Sequence, residues 1–424
     1  MEKILLLLML TSTLAKNIGH VPLLTTLYRW KQIDFEYPST EARQQAIDDR
    51  YLFIKVGIPV TVPFYSYKLY VNREFIQAEV FPYEVERWKD RVFISTPRLK
   101  SGIPATLSSV PIGAPADSPL LQPYPNWKWQ DEANCTGFVS IYCMSIDDCG
   151  VMWVLDSGLR ESRQVCPPTL YAINLDSDTV VGRYPIPNEQ LLQNSRIINL
   201  VVDSRDEQCR DLHVYMSDPW EFGLIVFRHE DAAFWRFTHY SFYTAGSFLK
   251  RPYDMEYDFL SIKLVMHLGK YRHGDRPLYY QSRTSSNKFV VKSSVIRDPE
   301  RVNNSADEFR LLGRREDIAA AALERTDVIY FISDFIVCWN QNTSKPYNIQ
   351  NIIESRLNLT NVLLRDFELD HEVPPTGWMI SANAFKYYFM LMKPNEYNYR
   401  VLYFDPEVAI KNACPSENLN STFN

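Results

Sequence analysis

Val151-Met-Trp-Val-Leu-Asp156 is a short apolar segment with a central aromatic residue and a polar end, and it is one of six such copies in the 424-residue chain. The other copies are Arg91-Val-Phe-Ile-Ser-Thr96, His213-Val-Tyr-Met-Ser-Asp218, Leu278-Tyr-Tyr-Gln-Ser282, Val328-Ile-Tyr-Phe-Ile-Ser-Asp334 and Trp378-Met-Ile-Ser-Ala-Asn383. Successive aromatic markers are 60, 62, 65, 50 and 48 residues apart; they are Phe93, Trp153, Tyr215, Tyr280, Tyr330 and Trp378. This step is the length of one four-stranded sheet with its loops. The sequence therefore predicts an all-β fold, a six-bladed β-propeller with four-stranded antiparallel blades.

The context of the copies supports this prediction. After the Val151 copy, a strand over residues 170–175 leads through the turn Asp176-Ser-Asp178 into a second strand over residues 179–184. A β-sandwich, the main rival fold, would show strands about every 8 to 12 residues without the longer period. We expect one propeller domain over residues 16–415, an inserted loop or hairpin over residues 51–80, and a C-terminal tail over residues 416–424.

The polar ends of the copies have two interpretations. Backbone groups lose their ladder partners where a strand ends, and short polar side chains can satisfy them. We expect such caps at most copies, including Asp156, Asp218 and Asp334; the alternative is that these residues line a ligand pocket at the mouth of an axial channel. Carboxylates at this place would also suit a calcium ion. Capping explains the same residues without a bound ion, so no metal or cofactor is predicted.

The N-terminus has the pattern of a secretory signal peptide over residues 1–15. Lys3 precedes the apolar run of residues 4–10, and Thr13-Leu14-Ala15 ends it with small residues at the positions that determine cleavage. No later segment reaches the about 20 apolar residues that a transmembrane helix needs. We therefore expect a secreted, extracellular protein that is not held in a membrane.

Cysteines and glycosylation sequons fit an oxidising compartment. Seven cysteines allow an even subset to form disulfides and leave one thiol over. The cysteines are Cys135, Cys143, Cys149, Cys166, Cys209, Cys338 and Cys414. In a secreted chain, Asn-x-Ser/Thr sequons predict N-glycosylation on surface loops. The sequons begin at Asn134, Asn303, Asn342, Asn358 and Asn420.

Charge and motifs exclude several classes of function. The formal net charge is -6 with both signs dispersed, so the chain lacks the basic footprint of a nucleic-acid-binding protein or of attachment to anionic membranes. There is no G-x-S-x-G, G-x-G-x-x-G, P-loop or H-E-x-x-H motif, and His371-Glu372 is followed by Val-Pro-Pro, which stops a helix. No catalytic residue can be assigned, and the oligomeric state stays open.

An ordered set of motifs resembles the yellow / major royal jelly protein family of insects. The motifs are Trp30-Lys-Gln-Ile-Asp-Phe35, Arg91-Val-Phe-Ile-Ser-Thr-Pro-Arg98, Gly102-Ile-Pro-Ala-Thr-Leu107, Leu121-Gln-Pro-Tyr-Pro-Asn-Trp127, Met152-Trp-Val-Leu-Asp-Ser-Gly158 and Cys166-Pro-Pro-Thr-Leu170, with Cys338-Trp-Asn340 and residues 395–404 toward the C-terminus. The resemblance covers nearly the whole mature chain. It implies secretion, a six-bladed propeller and an axial channel.

The resemblance also implies disulfides and a binding element. By position, it pairs Cys149 with Cys166, Cys135 with Cys209, and Cys338 with Cys414, and leaves Cys143 as the odd thiol. Amine-binding members of the family use an Asn-x-Phe element in the sixth blade, which Asn383-Ala384-Phe385 resembles here. An alternative is that Phe385 belongs to the core and that Asn383 caps a strand.

Three functions are open at this point. The first is a non-catalytic protein of pigmentation, cuticle, eggshell or glandular secretion that binds a small aromatic amine or catechol-derived ligand in the axial channel. An aromatic wall and an amide would suit such a ligand. The second is a dopachrome-type isomerase, which needs a positioned acid and base. The third is a structural or storage protein of the extracellular matrix.

Overall fold

The computed structural model describes most of the chain between residues 24 and 408. The described ranges are 24–55, 75–130, 135–242, 264–269, 275–282, 287–314, 320–322, 328–332, 335–340, 353–356, 364–406 and residue 408. The predicted signal peptide and C-terminal tail lie outside these ranges. So do the predicted cap Asp334 and the sequon residues Asn134, Asn342, Asn358 and Asn420.

Within the described residues, the strands form six four-stranded antiparallel sheets and one two-stranded hairpin. We call the six sheets blades I to VI and give their strands from the innermost outward. Blade I contains β2 (Val85–Trp88), β3 (Arg91–Ser95), β4 (Leu107–Pro111) and β5 (Gln122–Pro123). Blade II contains β6 (Ile141–Ile146), β7 (Val151–Asp156), β10 (Thr169–Asn174) and β11 (Thr179–Pro185); β8 (Leu159–Arg160) and β9 (Arg163–Gln164) form the hairpin. Blade III contains β12 (Asn199–Ser204), β13 (Leu212–Asp218), β14 (Gly223–Arg228) and β15 (Ala233–Thr238).

The remaining blades follow the same order, except that the first strand of the chain joins the last blade. Blade IV contains β16 (Leu264–Leu268), β17 (Pro277–Ser282), β18 (Asn287–Lys292) and β19 (Arg310–Arg314). Blade V contains β20 (Ala320–Ala322), β21 (Val328–Ile332), β22 (Phe335–Asn340) and β23 (Ile353–Arg356). Blade VI contains β24 (Leu364–Leu369), β25 (Gly377–Ala382), β26 (Tyr399–Phe404) and β1 (Thr25–Trp30). The predicted all-β propeller with four-stranded antiparallel blades is confirmed.

One helix of 16 residues and several shorter helical segments lie between the strands. The α-helices are α1 (Thr40–Lys55), α2 (Ser293–Ile296) and α3 (Ala384–Tyr388). Three-residue or four-residue 3-10 turns span Gln77–Glu79, Trp127–Gln130, Asn188–Gln190, Tyr240–Phe242, Pro299–Arg301 and Ala306–Glu308. In the described part of the chain, no helix is both long and apolar enough to cross a membrane.

The innermost strands contact one another from blade to blade. The contacting pairs are β2 with β6, β6 with β12, β12 with β16, β16 with β20, β20 with β24, and β24 with β2. Strands between two neighbouring blades are covered on both faces, which explains why every residue of β13 is buried. The outermost strand β11 instead alternates between exposed and half-buried residues. Burial thus follows the position of a strand within its blade.

The two ends of the chain meet in blade VI. Strand β1 pairs with β26 in antiparallel register, with Trp30 opposite Tyr399 and Thr25 opposite Tyr403. The Trp30 indole Nε1 also donates to the carbonyl of Pro119 at 2.8 Å, which connects β1 to the loop between β4 and β5 of blade I. Backbone hydrogen bonds between the first and last strands therefore join the chain ends.

The six aromatic markers of the sequence repeat all lie in the second strands of their blades. In three blades, the polar head of the marker donates to a buried aspartate in the turn or strand end just before that strand. Trp153 Nε1 donates to Asp147 at 3.0 Å, Tyr215 Oη donates to Asp203 at 2.7 Å, and Trp378 Nε1 donates to Asp370 at 2.8 Å. In these blades the marker residue thus packs in the core and also holds the connection between the first and second strands through its hydrogen bond.

Two strand-end aspartates are caps, as predicted. Asp156 accepts from the backbone N–H groups of residues 139, 140 and 158 at 2.7, 2.8 and 3.0 Å. Asp218 accepts from the Arg196 backbone N–H and from the Arg236 guanidinium, each at 2.9 Å. Burial raises the pKa of the Asp156 carboxyl, and these donors oppose that rise. Both carboxylates are thus engaged within the protein.

The disulfide pairing differs from the one that the resemblance implied. Cys135 bonds to Cys166, and Cys149 bonds to Cys209, so the predicted pairs Cys149–Cys166 and Cys135–Cys209 are wrong. Cys149 and Cys209 both lie in turns between the first and second strands of adjacent blades, at one end of the propeller. Cys135 precedes the first strand of blade II and Cys166 precedes its third strand, at the other end. The predicted pairs would have joined opposite ends, which a strand of six residues separates by about 20 Å.

Two other predictions concerned the unpaired cysteine and the bond between Cys338 and Cys414. Cys143 takes part in neither disulfide of the described residues, in agreement with the prediction; it is buried and donates to the carbonyl of Ile198 at 2.8 Å. Cys414 lies outside the described residues, so the predicted bond between Cys338 and Cys414 stays a prediction.

The predicted insert begins in a helix. Ser39 Oγ accepts from the backbone N–H of Ala42 at 3.1 Å and caps α1, whose last residues are 51–55. Residues 56–74 lie outside the described part, and residues 77–79 form a 3-10 turn. The described ends of the predicted insert are thus the end of a helix and a 3-10 turn, and the inserted loop or hairpin itself stays a prediction.

Candidate functional site

A cavity of about 370 Å³ lies where β25 ends and β26 begins. We call it the Asn383–Arg400 cavity. Its lining side chains come from the ends of these strands and from the segment that connects them: Ser381, Asn383, Lys386, Asn395, Glu396, Tyr397, Asn398 and Arg400. Small-molecule sites usually measure about 300 to 1,000 Å³, so this cavity is large enough for a single-ring or two-ring ligand.

Asn383 has two roles in this arrangement. Its Oδ1 accepts from the backbone N–H of Lys386 at 2.9 Å and so caps α3, as the alternative interpretation expected of a cap, although at a helix and not at a strand. It also lines the cavity. Because the carbonyl oxygen is engaged in the cap, the amide NH₂ is the group that can donate to a ligand. Phe385 lies in α3, but its side chain is outside the described part, so its predicted contact with a ligand stays a prediction.

Tyr397 is the aromatic side chain of the cavity, and its neighbours hold it in place. The Arg29 guanidinium lies 4.3 Å from the centre of the Tyr397 ring, and Tyr397 Oη donates to Asp117 at 2.9 Å. Arg29 also forms an ion pair with Asp117. The hydrogen bond to Asp117 raises the pKa of the Tyr397 hydroxyl. The ring is therefore positioned before a ligand arrives.

Glu396 and Arg400, the two charged residues described next, have different electrostatic surroundings. Glu396 accepts from Lys393 at 2.8 Å and lies 3.8 Å from Lys386, and the bond to Lys393 lowers the pKa of the Glu396 carboxyl. Arg400 is half-buried and lies opposite Arg29 in the β1–β26 register. Burial lowers the pKa of the Arg400 guanidinium, and the charge of Arg29 adds to this effect.

The propeller axis contains a second, much smaller cavity of about 30 Å³. Its titratable lining residues come from blades I, IV and VI: Glu86, His267, Glu368 and His371. A cavity that binds benzene measures about 150 Å³, and one water needs about 10 to 15 Å³. The described axial cavity therefore has room for water and none for an aromatic ligand. The predicted ligand in the axial channel stays a prediction, because the side chains of β20 lie outside the described part of the chain.

His267 is the unusual residue of the axial cavity. It is 4% exposed, and neither ring nitrogen has a hydrogen-bond partner among the described residues. The ring stacks on Tyr279 at 5.4 Å, and burial holds the pKa of its imidazole well below the ordinary value of 6.5. His267 and His371 are far apart in the sequence, so nothing in the spacing of the histidines predicted that both line the axial cavity.

One group of potential metal donors occurs in the described part of the chain. Asp147, Cys149 and Cys209 place donor atoms within 4.8 Å of one another, but both sulfurs belong to the same disulfide. Disulfide sulfur lacks the thiolate charge that binds zinc, so this group does not fit a metal site.

Asn303 is the one predicted glycosylation residue that falls in the described part. It is exposed and lies in a turn, whereas Ser305 of the same sequon is buried and donates to the carbonyl of Arg301 at 2.8 Å. The acceptor side chain is therefore accessible in the folded protein.

Residues 139–413 match the family described as major royal jelly protein, and this range is well over half of the chain. The chain belongs to the major royal jelly protein family. The predicted membership of the yellow / major royal jelly protein family is thereby confirmed.

Individual members of the family span most of the chain. A Drosophila melanogaster protein named dopaminechrome tautomerase is 27% identical over 96% of this chain and 88% of its own length. Protein yellow of Drosophila melanogaster is 26% identical over 88% of this chain and 67% of its own length. Among solved structures, virginiamycin B lyase from Staphylococcus aureus covers 72% of this chain and 78% of its own, with a TM-score of 0.40 and 10% identity.

Proposed function

We propose that the protein binds a small catechol-derived aromatic ligand in the Asn383–Arg400 cavity. The observation that carries this proposal is the cavity itself, which combines about 370 Å³ of space with a fixed aromatic ring and several polar groups. Tyr397 offers apolar ring surface to the ligand, and the free NH₂ of Asn383 can donate to a ring oxygen. The proposal moves the ligand from the propeller axis to the edge of blade VI.

The binding experiment is a calorimetric titration of the purified protein with dopamine, L-dopa and 5,6-dihydroxyindole-2-carboxylate. We expect saturable binding of at least one of them, and about 10-fold weaker binding by the Tyr397→Ala variant, since an aromatic contact contributes up to ~1.5 kcal/mol. Tyr240→Ala removes a tyrosine that is 63% exposed and lies outside the cavity, and it should leave the affinity unchanged. The absence of heat above dilution for all three compounds at millimolar concentration contradicts the proposal.

A second candidate is the tautomerisation of an aminochrome, an oxidised catechol amine that has closed to an indoline ring. The observation that favours it is the similarity to dopaminechrome tautomerase over 96% of the chain. The reaction moves two protons from the saturated carbons of the five-membered ring to the two quinone oxygens, with no net oxidation or reduction. Glu396 can accept a ring proton, and Lys386 can donate to a quinone oxygen, because both side chains line the cavity.

An absorbance assay of aminochrome decay, run beside heat-inactivated protein, tests this candidate. We expect faster decay with the native protein, and a loss of about 100-fold in kcat for Glu396→Gln, in the range of one general base. Glu372→Gln is the matched control, since Glu372 is an exposed carboxylate at the Arg87 ion pair and not in the cavity. Equal decay with native and heat-inactivated protein excludes the enzyme and leaves the binding function open.

We also propose that the six sheets close into one six-bladed ring. The contacts between successive innermost strands and the pairing of β1 with β26 support this closure.

We propose further that the protein is secreted and that Asn303 carries a glycan. Two disulfides, the exposed position of Asn303 and the signal-peptide pattern of residues 1–15 support this localisation.

A further inference from the structure

Arg400 differs from the other cations at the Asn383–Arg400 cavity because it has no anionic partner in the described part of the chain. Arg29 pairs with Asp117, Lys393 pairs with Glu396, and Lys386 lies 3.8 Å from Glu396. The charge that acts on the Arg400 guanidinium is that of Arg29, which has the same sign. A half-buried guanidinium thus faces the cavity without compensation.

The position of Arg400 makes this charge costly to the empty protein. Arg400 and Arg29 are direct partners in the β1–β26 ladder, and like charges directly opposite each other in a sheet are destabilising. Burial of a cation without a counter-ion adds to that cost. An anion bound in the cavity would neutralise Arg400 and remove both destabilising effects. Their removal would strengthen the binding of the anion.

The neighbours of Arg400 define the anion. The cavity also presents the ammonium of Lys386 and the NH₂ group of Asn383, and both are donors without acceptor capacity at the atoms that remain free. Guanidinium groups bind planar carboxylates through two parallel N–H···O bonds. A free amine would instead meet a cation at Arg400, and the one carboxylate of the lining, Glu396, is already bonded to Lys393.

We propose that Arg400 determines specificity by binding a carboxylate of the ligand, so that the cavity selects carboxylate-bearing catechol-derived compounds over their decarboxylated counterparts. This inference rests on the proposed binding function and adds the chemical class of the ligand. It distinguishes compounds that retain the amino-acid carboxylate from those that have lost it, although their rings are the same.

The test uses two compounds that differ only in the carboxylate: 5,6-dihydroxyindole-2-carboxylate and 5,6-dihydroxyindole. We expect the wild-type protein to bind the carboxylated compound 10-fold to 100-fold more tightly, the usual effect of hydrogen bonds to a charged group. In Arg400→Gln, the preference should fall to less than about 3-fold through loss of affinity for the carboxylated compound alone. Arg310→Gln, which removes an arginine that is 70% exposed on β19, should keep the preference.

A thermal melt of Arg400→Gln shows whether the variant is folded, and removal of the like charge opposite Arg29 should leave its Tm equal or higher. Equal affinity of the wild-type protein for both compounds overturns the inference and leaves the binding function standing. A preference that persists in Arg400→Gln overturns the assignment to Arg400. The absence of binding of either compound overturns the proposed function itself, together with the inference.

Inorganic phosphate serves as the probe for an unspecific anion site. If it competes with 5,6-dihydroxyindole-2-carboxylate at equal concentration, the cavity binds anions with no contribution from the aromatic ring, and the inference fails. We expect that at least a 10-fold excess of phosphate is needed, because phosphate makes no contact with Tyr397.

Discussion

Asp370→Ala is expected to lower the free energy of unfolding by about 3 to 5 kcal/mol, the usual cost of removing one partner of a buried ion pair. Asp370 is fully buried and accepts from Arg87 of blade I at 3.0 Å and from Trp378 of blade VI at 2.8 Å. It also accepts from the backbone N–H of Thr376 at 2.8 Å. The substitution leaves the indole N–H without its acceptor and removes the buried partner of the Arg87 guanidinium, which keeps only the half-exposed Glu372, at the contact between the last and first blades.

The measurement is chemical denaturation monitored by tryptophan fluorescence. Glu372→Gln is the matched control, because Glu372 pairs with the same Arg87 at 2.9 Å but its side chain is 49% exposed. Exposed pairs contribute about 0 to 1 kcal/mol, so the control should change stability little. Equal effects of the two substitutions would show that Asp370 does not hold the contact between these blades.

Acidification is expected to destabilise the protein between pH 6.5 and pH 3 through His213. Its side chain is buried in β13, and burial together with Arg297, Arg228 and Arg205 lowers the pKa of its imidazole from 6.5 to about 3. Below pH 6.5 the unfolded chain therefore binds a proton that the folded protein does not bind. Stability falls as pH falls, by ~1.36 kcal/mol per pH unit or about 5 kcal/mol over the whole interval.

The carboxylates that face His213 oppose this shift only in part. Asp211 lies 3.5 Å from the His213 Nδ1 in the turn before β13, and Asp231 of the turn between β14 and β15 acts on it at longer range. In His213→Gln, the slope of unfolding free energy against pH should be smaller by about one proton over this interval. His229→Gln removes an exposed histidine and should keep the wild-type slope. An unchanged slope in His213→Gln would show that His213 is charged in the folded protein.

The sequence predicted the blades because their period is carried by large aromatic residues. Phe93, Tyr215 and Trp378 mark second strands, and the inner strands have to be apolar on both faces. The aspartates that bind these markers were missed, although they are part of the same repeat. Asp147 precedes its marker by 6 residues, Asp203 by 12 and Asp370 by 8, so the varying turn length hides the pattern.

The disulfides could have been predicted from the strand order. Cys149 and Cys209 follow the first strands of adjacent blades, and turns of this type all lie at one end of a propeller. Assigning each cysteine to an end of the propeller would have excluded the pairs that the resemblance implied. The family pattern was applied by position in the sequence, which does not record the end at which a loop emerges.

The candidate site was predicted in part. Asn383 was identified from the resemblance and does line a cavity, but Tyr397 and Arg400 were not singled out. Arg400 lies opposite Arg29, 371 residues away in the sequence, so only the closed fold shows that no described residue compensates the charge of Arg400. The axial location stays a prediction, because the space at the axis depends on the packing of strands from all blades.

The most direct test of the binding site is a crystal structure of the protein soaked with 5,6-dihydroxyindole-2-carboxylate under anaerobic conditions. The account predicts electron density for the indole ring beside Tyr397, with the carboxylate within hydrogen-bond distance of the Arg400 guanidinium. Ligand density in the axial channel beside His267, with the Asn383–Arg400 cavity empty, would contradict it.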